Sequence, residues 1–505
     1  MTDASPQPLP LDHLAERGDP DAAALVLRSG MLTYRELRLE VAHLAGWLAD
    51  TLQPGDRVAS WASKGAVTCL LPLAAARAGM VHVPINPLLK RAQAQHILAD
   101  SETSLLVAND ARLQSLGGVD EMGRLRFISE QDAVRAAQSC NPLPPSAHDP
   151  DQLAALLYTS GSTGLPKGVM LSHANLWLGA ASVATYLELD ATDATLAVLP
   201  LSFDYGQNQL LSTWYAGGRA IPLDYLFAKD VVRACKSHQV TTLAGVPPLW
   251  VQLCEADWPS SATRALRRIT NSGGALTPDL IGRLQSCFPD TDIVAMYGLT
   301  EAFRSTYLPP SQLAAHPTSI GKSIPFAEVL VVDEDGRETV ASEEGELVHC
   351  GPLVAKGYWR DPQRTAERFK PAPAHSRYGG TAVWSGDRVV RDREGLLYFV
   401  GRRDAMIKSS GNRISPHEIE TAAVATGLVR HAVALGVPDE RFGQAIHLHV
   451  EAVPGRKVDT ETLRRELAEV LPNFMQPQVI RWVENMPLNQ NGKLDRALLQ
   501  QRATV

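Results

Sequence analysis

The chain has 505 residues, and its 48 Lys and Arg against 55 Asp and Glu give a formal net charge of −7 at pH 7. This charge excludes a protein that holds nucleic acid through bulk positive charge. Hydrophobic residues make up 45% and charged residues 20%, a composition that excludes a disordered or collagen-like chain. A globular protein of about two to four structural units is expected from this length.

The six cysteines and the N-terminal segment point to a cytoplasmic protein without a membrane anchor. The cysteines are scattered, with no Cys-x-x-Cys pair, which predicts buried, reduced thiols and neither a disulfide framework nor a zinc site. Residues 1–10 are polar and Pro-rich, so no signal peptide is predicted. The longest apolar runs are far shorter than the roughly 20 residues that cross a bilayer, so no membrane span is expected.

Short apolar runs alternate with helical patterns through the first part of the chain. Strands are predicted at 25–27, 57–59 and 81–83 and helices at 34–52 and 66–78, and further strands at 196–199, 219–222, 241–246 and 293–297. This alternation is typical of an α/β fold with a mainly parallel sheet. A connector is predicted at 138–150, and the Asp-Gly and Glu-Gly turns of 328–400 predict a small antiparallel β region.

The pattern changes after Gly401. A helix from Pro416, strands at 432–437 and 446–450 and a helix at 460–470 predict a separate α+β unit of about 100 residues. We therefore expect a large N-terminal domain of parallel and mixed sheets, covering 1–402, and a small C-terminal lid covering 403–505.

A glycine- and hydroxyl-rich segment, YTSGSTGLPKGV at 158–169, follows the apolar run at 153–157. Glycines let a backbone wrap around an anion, hydroxyls add donors, and a lysine adds a point charge. A flexible linker is the competing interpretation, but its composition would not include this strand and lysine. The spacing of the lysine differs from that of a Walker A loop. The predicted phosphate-binding residues are Thr159, Ser160, Gly161, Ser162, Thr163, Gly164 and Lys167.

Four further segments follow in order along the chain: YGLTE at 297–301, WSGD at 384–387, GRRD at 401–404 with KSSG at 408–411, and NGK at 491–493. Together with the loop they resemble the signature of the AMP-forming adenylating superfamily. That superfamily contains acyl-CoA synthetases, firefly luciferase and the adenylation domains of nonribosomal peptide synthetases. The segments at 200–206, 270–274 and 301–310 are similar to those of stand-alone acyl-CoA ligases described as exosortase A system-associated.

The resemblance implies ATP and Mg²⁺ as cofactors and assigns roles to the motif residues. The loop would hold the β- and γ-phosphates, and Glu301 would bind Mg²⁺, a hard cation that prefers carboxylate and phosphate oxygens. Asp387 would accept hydrogen bonds from the ribose hydroxyls, and Arg402 would contact ribose or phosphate. Core packing is the competing interpretation of Tyr297. The other nucleotide-binding residues implied by the resemblance are Gly273, Gly274, Ala275, Tyr297 and Thr300.

The resemblance also predicts a lid that serves two half-reactions. Lys493 would clamp the substrate carboxylate and the α-phosphate, although a lysine in an Asn-Gly-Lys turn is ordinarily a solvated charge. Asp404 would be the hinge about which the lid rotates. Rotation would replace Lys493 with the segment that contains Lys408 and open a channel for a thiol.

The acid pocket is expected around Phe203 and Asp204, because amino-acid-activating members of the family carry Phe-Asp here. A buried carboxylate without a cationic partner is costly, so a substrate amine would explain Asp204. Alternatively, Asp204 caps a helix that starts near Gly206. Gly245 lines the pocket or opens a tunnel, and Arg304 binds a second carboxylate or faces Glu301. The remaining pocket residues implied by the resemblance are Tyr205, Asn208, Thr270, Ser272, Met296 and Ser305.

The expected reaction converts a carboxylic acid into an acyl-AMP, with release of pyrophosphate, and then transfers the acyl group to a phosphopantetheine thiol. The polar pocket favours a small amino acid, for example a proline-like one, loaded onto a carrier protein. The alternative is a fatty or aryl acid with CoA as acceptor. A luciferase-like oxidase has no support in the sequence, and a non-catalytic nucleotide-binding protein would be expected to lack Lys493, Glu301 or Asp387, all of which are present.

Overall fold

The computed structural model describes residues 6–89, 91–116, 125–159, 166–402, 407–409, 412–439, 442–456, 459–471, 473–490 and 492–503. The described strands, in chain order, are β1 (Ala23–Leu27), β2 (Gly30–Thr33), β3 (Arg57–Trp61), β4 (Val81–Pro84), β5 (Thr103–Ala108), β6 (Arg126–Ser129), β7 (Leu153–Thr159), β8 (Lys167–Ser172), β9 (Ala194–Ala197), β10 (Arg219–Pro222), β11 (Thr242–Gly245), β12 (Arg268–Asn271), β13 (Asp292–Tyr297), β14 (Thr306–Leu308), β15 (Ser319–Ser323), β16 (Glu328–Val332), β17 (Glu344–Cys350), β18 (Phe369–Pro371), β19 (Thr381–Arg391), β20 (Leu397–Arg402), β21 (Ile407–Ser409), β22 (Asn412–Ile414), β23 (Val429–Asp439), β24 (Gly443–Ala452) and β25 (Val479–Trp482).

The described α-helices are α1 (Tyr34–Thr51), α2 (Ala66–Arg77), α3 (Arg91–Asp100), α4 (Asp110–Leu116), α5 (Glu130–Gln138), α6 (His173–Tyr186), α7 (Asp204–Tyr215), α8 (Ala228–His238), α9 (Pro247–Cys254), α10 (Ser260–Thr263), α11 (Pro278–Cys287), α12 (Pro310–Leu313), α13 (Pro362–Arg368), α14 (Pro416–Ala425), α15 (Thr460–Val470) and α16 (Arg496–Ala503). Short 3₁₀ helices cover Leu11–Glu16, Thr300–Ala302 and Asn473–Met475.

Two sheets organise the N-terminal region. The first has the order β6-β5-β3-β4-β7-β8 and is parallel except for the β7–β8 pair. In the second, β1, β10, β9, β11, β12 and β13 are parallel, and the sheet continues through β14 and β15 into the antiparallel strands β16 to β20. This arrangement confirms the predicted α/β class and the antiparallel β region.

Helices α6 and α7 lie between these sheets. Helix α6 contacts β7 and β8, α7 contacts β9 and β10, and the two helices contact each other. Most residues of both helices are buried, because each helix has an apolar partner on more than one side. At Gly206 a side chain would lie 1.9 Å from the carbonyl oxygen of Pro200, so only glycine fits in α7 at this point.

The carboxyl ends of the parallel strands converge on one edge of the second sheet. Strands β9, β11, β12 and β13 end at or just before the segments that contain Phe203, Gly245, Gly273 and Glu301. Ligands of open α/β sheets bind at this edge. The topology therefore brings together motifs that are far apart in the sequence.

The C-terminal region has its own sheet and core. Strands follow the order β22-β21-β24-β23, with β25 parallel to β24, and α14 and α15 pack against the sheet. This α+β unit agrees with the predicted lid, while the boundary at residue 402 remains a prediction. All six cysteines are free, but Cys140, Cys254 and Cys287 are only half-buried, so the expectation of six buried thiols was wrong for these three.

Candidate active site

The phosphate loop connects two strands that pair with each other. Thr159, the last residue of β7, is the cross-strand partner of Lys167, the first residue of β8. The hydroxyl of Thr159 is buried and has no hydrogen-bond partner among the described residues. The predicted phosphate ligands Ser160, Gly161, Ser162, Thr163 and Gly164 lie outside the described residues, so their roles remain predictions.

Lys167 and Glu301 meet beside this loop. The Lys167 Nζ lies 3.6 Å from Glu301 Oε1 and 3.8 Å from the centre of the Tyr358 ring. The Tyr358 hydroxyl donates a hydrogen bond of 2.6 Å to the same carboxylate oxygen. Burial raises the pKa of Glu301, but the charge of Lys167 and the hydrogen bond from Tyr358 outweigh it, and the net pKa is lowered. Glu301 is therefore an anion at neutral pH.

The predicted ribose ligand Asp387 is held from two sides. Strands β19 and β20 place Arg402 directly opposite Asp387, and the Arg402 Nε lies 3.5 Å from Asp387 Oδ1. The Tyr297 hydroxyl donates a hydrogen bond to Asp387 Oδ2. Burial, followed by the charge of Asp387, raises the pKa of Tyr297 well above its usual value. The hydrogen bond from Tyr297 thus fixes the orientation of the Asp387 carboxylate.

Lys493 reaches into the N-terminal region from the lid. Its Nζ lies 5.0 Å from the centre of the Phe203 ring. Gly273 has φ +80°, and a Cβ atom built on it would lie 2.5 Å from Lys493 Cε. Gly274 is also confined, since its Cβ would lie 3.0 Å from Pro247. Of these two glycines, which are predicted to approach a nucleotide, Gly273 therefore also borders the Lys493 side chain, whereas Gly274 borders Pro247.

The environment of Lys493 lowers its pKa. Burial of the ammonium group is the largest cause, the negative charge of Asp204 opposes it, and the positive charge of Arg304 adds to it. The contact with Phe203, which directly precedes Asp204 in the chain, places Lys493 at the predicted acid pocket.

Polar contacts dock the lid in this position. Asn86 donates a hydrogen bond of 2.7 Å from its side chain to the carbonyl oxygen of Gln490. Arg430 lies 3.1 Å from Glu255 at the nearest nitrogen–oxygen pair. The predicted hinge Asp404 lies outside the described residues. Lys408 lies on β21, and its side chain is outside the description, so both roles remain predictions.

A buried ion pair forms the head of the acid pocket. The Arg304 Nη1 donates a hydrogen bond of 2.6 Å to Asp204 Oδ2, and the Thr300 hydroxyl donates one of 3.2 Å to Asp204 Oδ1. Asp204 is 4% exposed and Arg304 2%. The expectation that Asp204 lacks a cationic partner in the chain was therefore wrong. Arg304 faces Asp204 and not Glu301, and Thr300, expected at the nucleotide, also contacts this pair.

The capping alternative for Asp204 does not match the helix start. Helix α7 begins at Asp204 itself, and the N-cap residue is Phe203, whose side chain makes no capping hydrogen bond. The predicted start near Gly206 was two residues too late, because the two residues before it already have helical geometry.

A small cavity of about 20 Å³ lies next to this ion pair. The predicted pocket residues Tyr205, Asn208, Thr270, Met296 and Arg304 line it, and so do Tyr186, Gln209 and Ser212, which the sequence did not indicate. The Tyr205 hydroxyl donates to the carbonyl oxygen of Thr270 at 2.8 Å. Ser272 is buried at the end of β12, and Ser305 contacts His349, but neither residue borders this cavity.

The tunnel alternative at Gly245 is contradicted by Trp250. A Cβ atom on Gly245 would lie 2.7 Å from the indole ring of Trp250, which is fully buried. The indole therefore occupies the space that the glycine leaves open. Trp250 and Tyr358 were both missed in the sequence, because no motif spacing marks a residue that acts through a tertiary contact.

Comparison with known proteins identifies the family of this chain. The model of the AMP-binding enzyme family matches residues 12–359, and that of the AMP-binding enzyme C-terminal domain matches residues 418–493. The chain is 30% identical to a feruloyl-CoA synthase from Amycolatopsis sp over 96% of this chain and 97% of that protein. It is also 30% identical to tyrocidine synthase 3 from Brevibacillus parabrevis over 99% of this chain, but it spans only 8% of that much longer protein.

Solved structures show the same fold in both regions. MatB from Rhodopseudomonas palustris is 26% identical, and its ATP-bound structure superposes with a TM-score of 0.90, covering 98% of this chain and 99% of MatB. The apo structure of MatB superposes with a TM-score of 0.79. The chain as a whole therefore superposes better on the ATP-bound structure of MatB than on its apo structure.

The chain belongs to the AMP-binding enzyme family. It is an AMP-forming acid–thiol ligase that uses ATP and Mg²⁺ and activates a carboxylic acid as an acyl-adenylate. Among the helices in the described part of the chain, none combines the length and hydropathy of a membrane-crossing segment.

Proposed function

We propose that this ligase activates a small α-amino acid and loads it onto the phosphopantetheine thiol of a carrier protein. The observation that carries this proposal is the position of Lys493, next to Phe203 and Gly273 and within electrostatic reach of Asp204. A substrate carboxylate bound to Lys493 would place its α-substituent near Asp204. A cationic and an anionic group in the same pocket suit the two charges of an amino acid.

In the proposed adenylation step, a carboxylate oxygen attacks the α-phosphorus of ATP. The bond between that phosphorus and the bridging oxygen of the β-phosphate breaks, and pyrophosphate leaves with the electron pair. Both reactants are anionic, so fixed positive charge at the point of attack lowers the barrier. Lys493 would supply that charge to the carboxylate and α-phosphate, and Lys167 would supply it to the leaving phosphates.

The residues at the loop fit a magnesium ion that arrives with ATP. Within the described residues, no group of three or more His, Cys, Asp or Glu side chains is placed to hold a metal ion. Mg²⁺ commonly binds one or two carboxylates together with substrate phosphates. Glu301 has the required charge and oxygen ligands, and the ion would neutralise phosphate charge when bound.

Asp204 can accept a substrate ammonium in addition to its present partners. A carboxylate offers about four lone-pair sites, and Arg304 and Thr300 use one on each oxygen. The small cavity and the indole of Trp250 over Gly245 disfavour a long acyl chain. These features support a compact, amine-bearing acid.

CoA as the acceptor is the second candidate. The similarity to a feruloyl-CoA synthase, of which the chain covers 97%, supports CoA as a diffusible acceptor. In either case the thiol would replace AMP on the acyl carbon, and the rotation about Asp404 that presents Lys408 remains part of the proposal.

ATP–pyrophosphate exchange without an acceptor tests the first half-reaction across amino acids, fatty acids and aryl acids. We expect an amino acid to give the strongest signal and Lys493→Ala to lower it by about 10²-fold or more. Lys236→Ala, at an exposed lysine of α8, is the matched control. Unchanged exchange in Lys493→Ala would contradict the role of Lys493, and a response confined to fatty or aryl acids would contradict the amino-acid proposal.

The acceptor is tested by supplying the active acid with either CoA or a pantetheinylated carrier protein. Covalent loading of the carrier protein, seen as a mass increase, is the expected result. Acyl-CoA formation with no loading would establish CoA instead.

A further inference from the structure

Two residues that line the small cavity carry buried hydrogen-bond donors without partners among the described residues, and a third, Gln209, carries one such acceptor, its Oε1. Arg304 uses Nη1 for Asp204 and for the carbonyl oxygen of Phe303. Its Nε and Nη2 have no partner among the described residues, and neither does the Asn208 Nδ2. Arg304 and Asn208 both line the cavity, and they are 2% and 3% exposed. Buried donors of this kind are costly unless something accepts their hydrogen bonds.

The unpartnered edge of Arg304 has a specific shape. Nε and Nη2 form the side edge of a guanidinium, with two parallel N–H groups that match the two oxygens of a carboxylate. The guanidinium is also held in place, because Asp204 binds its other end and Cζ lies 4.5 Å over the Tyr205 ring. The edge is therefore preorganised for a planar, bidentate acceptor.

The local charges favour an additional anion. Arg304 and Asp204 cancel each other, so a substrate ammonium bound to Asp204 would leave one net positive charge at this end of the pocket. A neutral side chain leaves this charge uncompensated, whereas an anionic side chain cancels it. Uncompensated charge is expensive in a buried site, so the anionic side chain is the better complement.

We infer that the substrate is an acidic α-amino acid whose side-chain carboxylate binds the Nε–Nη2 edge of Arg304 and the amide of Asn208. This inference rests on the proposed function: Lys493 would hold the reacting carboxylate, and Asp204 the ammonium. Arg304 would then select the substrate by its side chain and take no part in the chemical step.

The wild-type enzyme tests this directly through matched substrate pairs in ATP–pyrophosphate exchange. Aspartate is compared with asparagine and glutamate with glutamine, with alanine and proline as neutral references. We expect an acidic member to exceed its amide by about 10- to 100-fold in kcat/KM. A neutral amino acid that exceeds both acidic ones would overturn the inference and leave the proposed function intact, whereas a lack of exchange with every amino acid would overturn the proposed function.

Variants locate the selectivity. Arg304→Gln is expected to lower kcat/KM for the acidic amino acid by about 10- to 100-fold, chiefly by raising KM. The kcat/KM for the corresponding amide, asparagine or glutamine, should change much less. Arg304→Lys should restore part of the preference, because it restores the charge without the bidentate edge. If Arg304→Gln is unfolded by circular dichroism, Asn208→Leu carries the test, with a smaller loss confined to the acidic substrate. Equal losses for acid and amide would contradict selection by this edge.

Discussion

Replacement of Gly273 by alanine should disable adenylation by displacing Lys493. The new Cβ would lie 2.5 Å from Lys493 Cε, whereas ordinary contacts begin near 3.4 Å, so the lysine must shift by about 1 Å. A misplacement of about 1 Å at a reacting group can cost about 10²-fold in rate. The positive φ of +80° adds about 1–2 kcal/mol of backbone strain that lowers stability independently.

Gly55→Ala separates these two effects. Gly55 has φ +86°, and a Cβ built on it meets nothing within 4 Å. Both variants should lose similar free energy of unfolding in urea, about 1–2 kcal/mol each. Only Gly273→Ala should lose ATP–pyrophosphate exchange, by about 10²-fold. The exchange rate of Lys493→Ala, which lacks the ammonium group altogether, is the lowest rate expected from displacement of this lysine.

The reasoning would be refuted if Gly273→Ala exchanged as fast as Gly55→Ala. Such a result would mean that Lys493 does not lie over Gly273 when the adenylate forms. If Gly273→Ala exchanged much more slowly than Lys493→Ala, the glycine would have a further role. One such role is the close approach to adenine that the resemblance implies for Gly273.

Three further predictions concern charge. The kcat/KM for exchange should fall as pH rises through the lowered pKa of Lys493, because the ammonium group loses its proton. Asp204→Asn should move that fall to lower pH, because the charge of Asp204 raises this pKa. An unchanged pH profile in Asp204→Asn would argue against the coupling of the two groups. Asp12→Ala should lower the free energy of unfolding in urea by about 3 kcal/mol, because it removes a buried ion-pair partner of Arg77. Arg35→Ala, at an exposed ion pair, should change it by less than about 0.5 kcal/mol. Equal effects of the two variants would contradict this reasoning. Chelation with EDTA should abolish exchange and added Mg²⁺ should restore it, and persistence of exchange would exclude a metal requirement.

Regular elements were the most predictable part of the fold. The predicted strand at 219–222 and the predicted helix at 460–470 have the observed bounds of β10 and α15. Their patterns are local, since a strand shows short apolar runs and an amphipathic helix shows the 3.6-residue repeat. The order of the strands in the sheets and the meeting of β9, β11, β12 and β13 at one edge were not predicted, because they depend on tertiary contacts.

The site was predictable where a motif carries the residue. Lys167 and Glu301 are far apart in the sequence, but each belongs to a motif, and the structure brings the two side chains to 3.6 Å beside the loop. The pairing of Asp204 with Arg304 was missed, because a carboxylate and a guanidinium 100 residues apart show no pattern in sequence. The same reason explains why Trp250 over Gly245 was not foreseen.

The docking of the lid through Asn86 and the Arg430–Glu255 pair has a consequence for the pace of turnover. A neutral hydrogen bond and an ion pair that reaches solvent each contribute little net free energy, so they hold the lid without trapping it. The proposed rotation of the lid would then be a diffusive motion against solvent friction. The overall rate should accordingly slow in viscous solutions of sucrose, even when the chemistry at the phosphorus atom is unchanged.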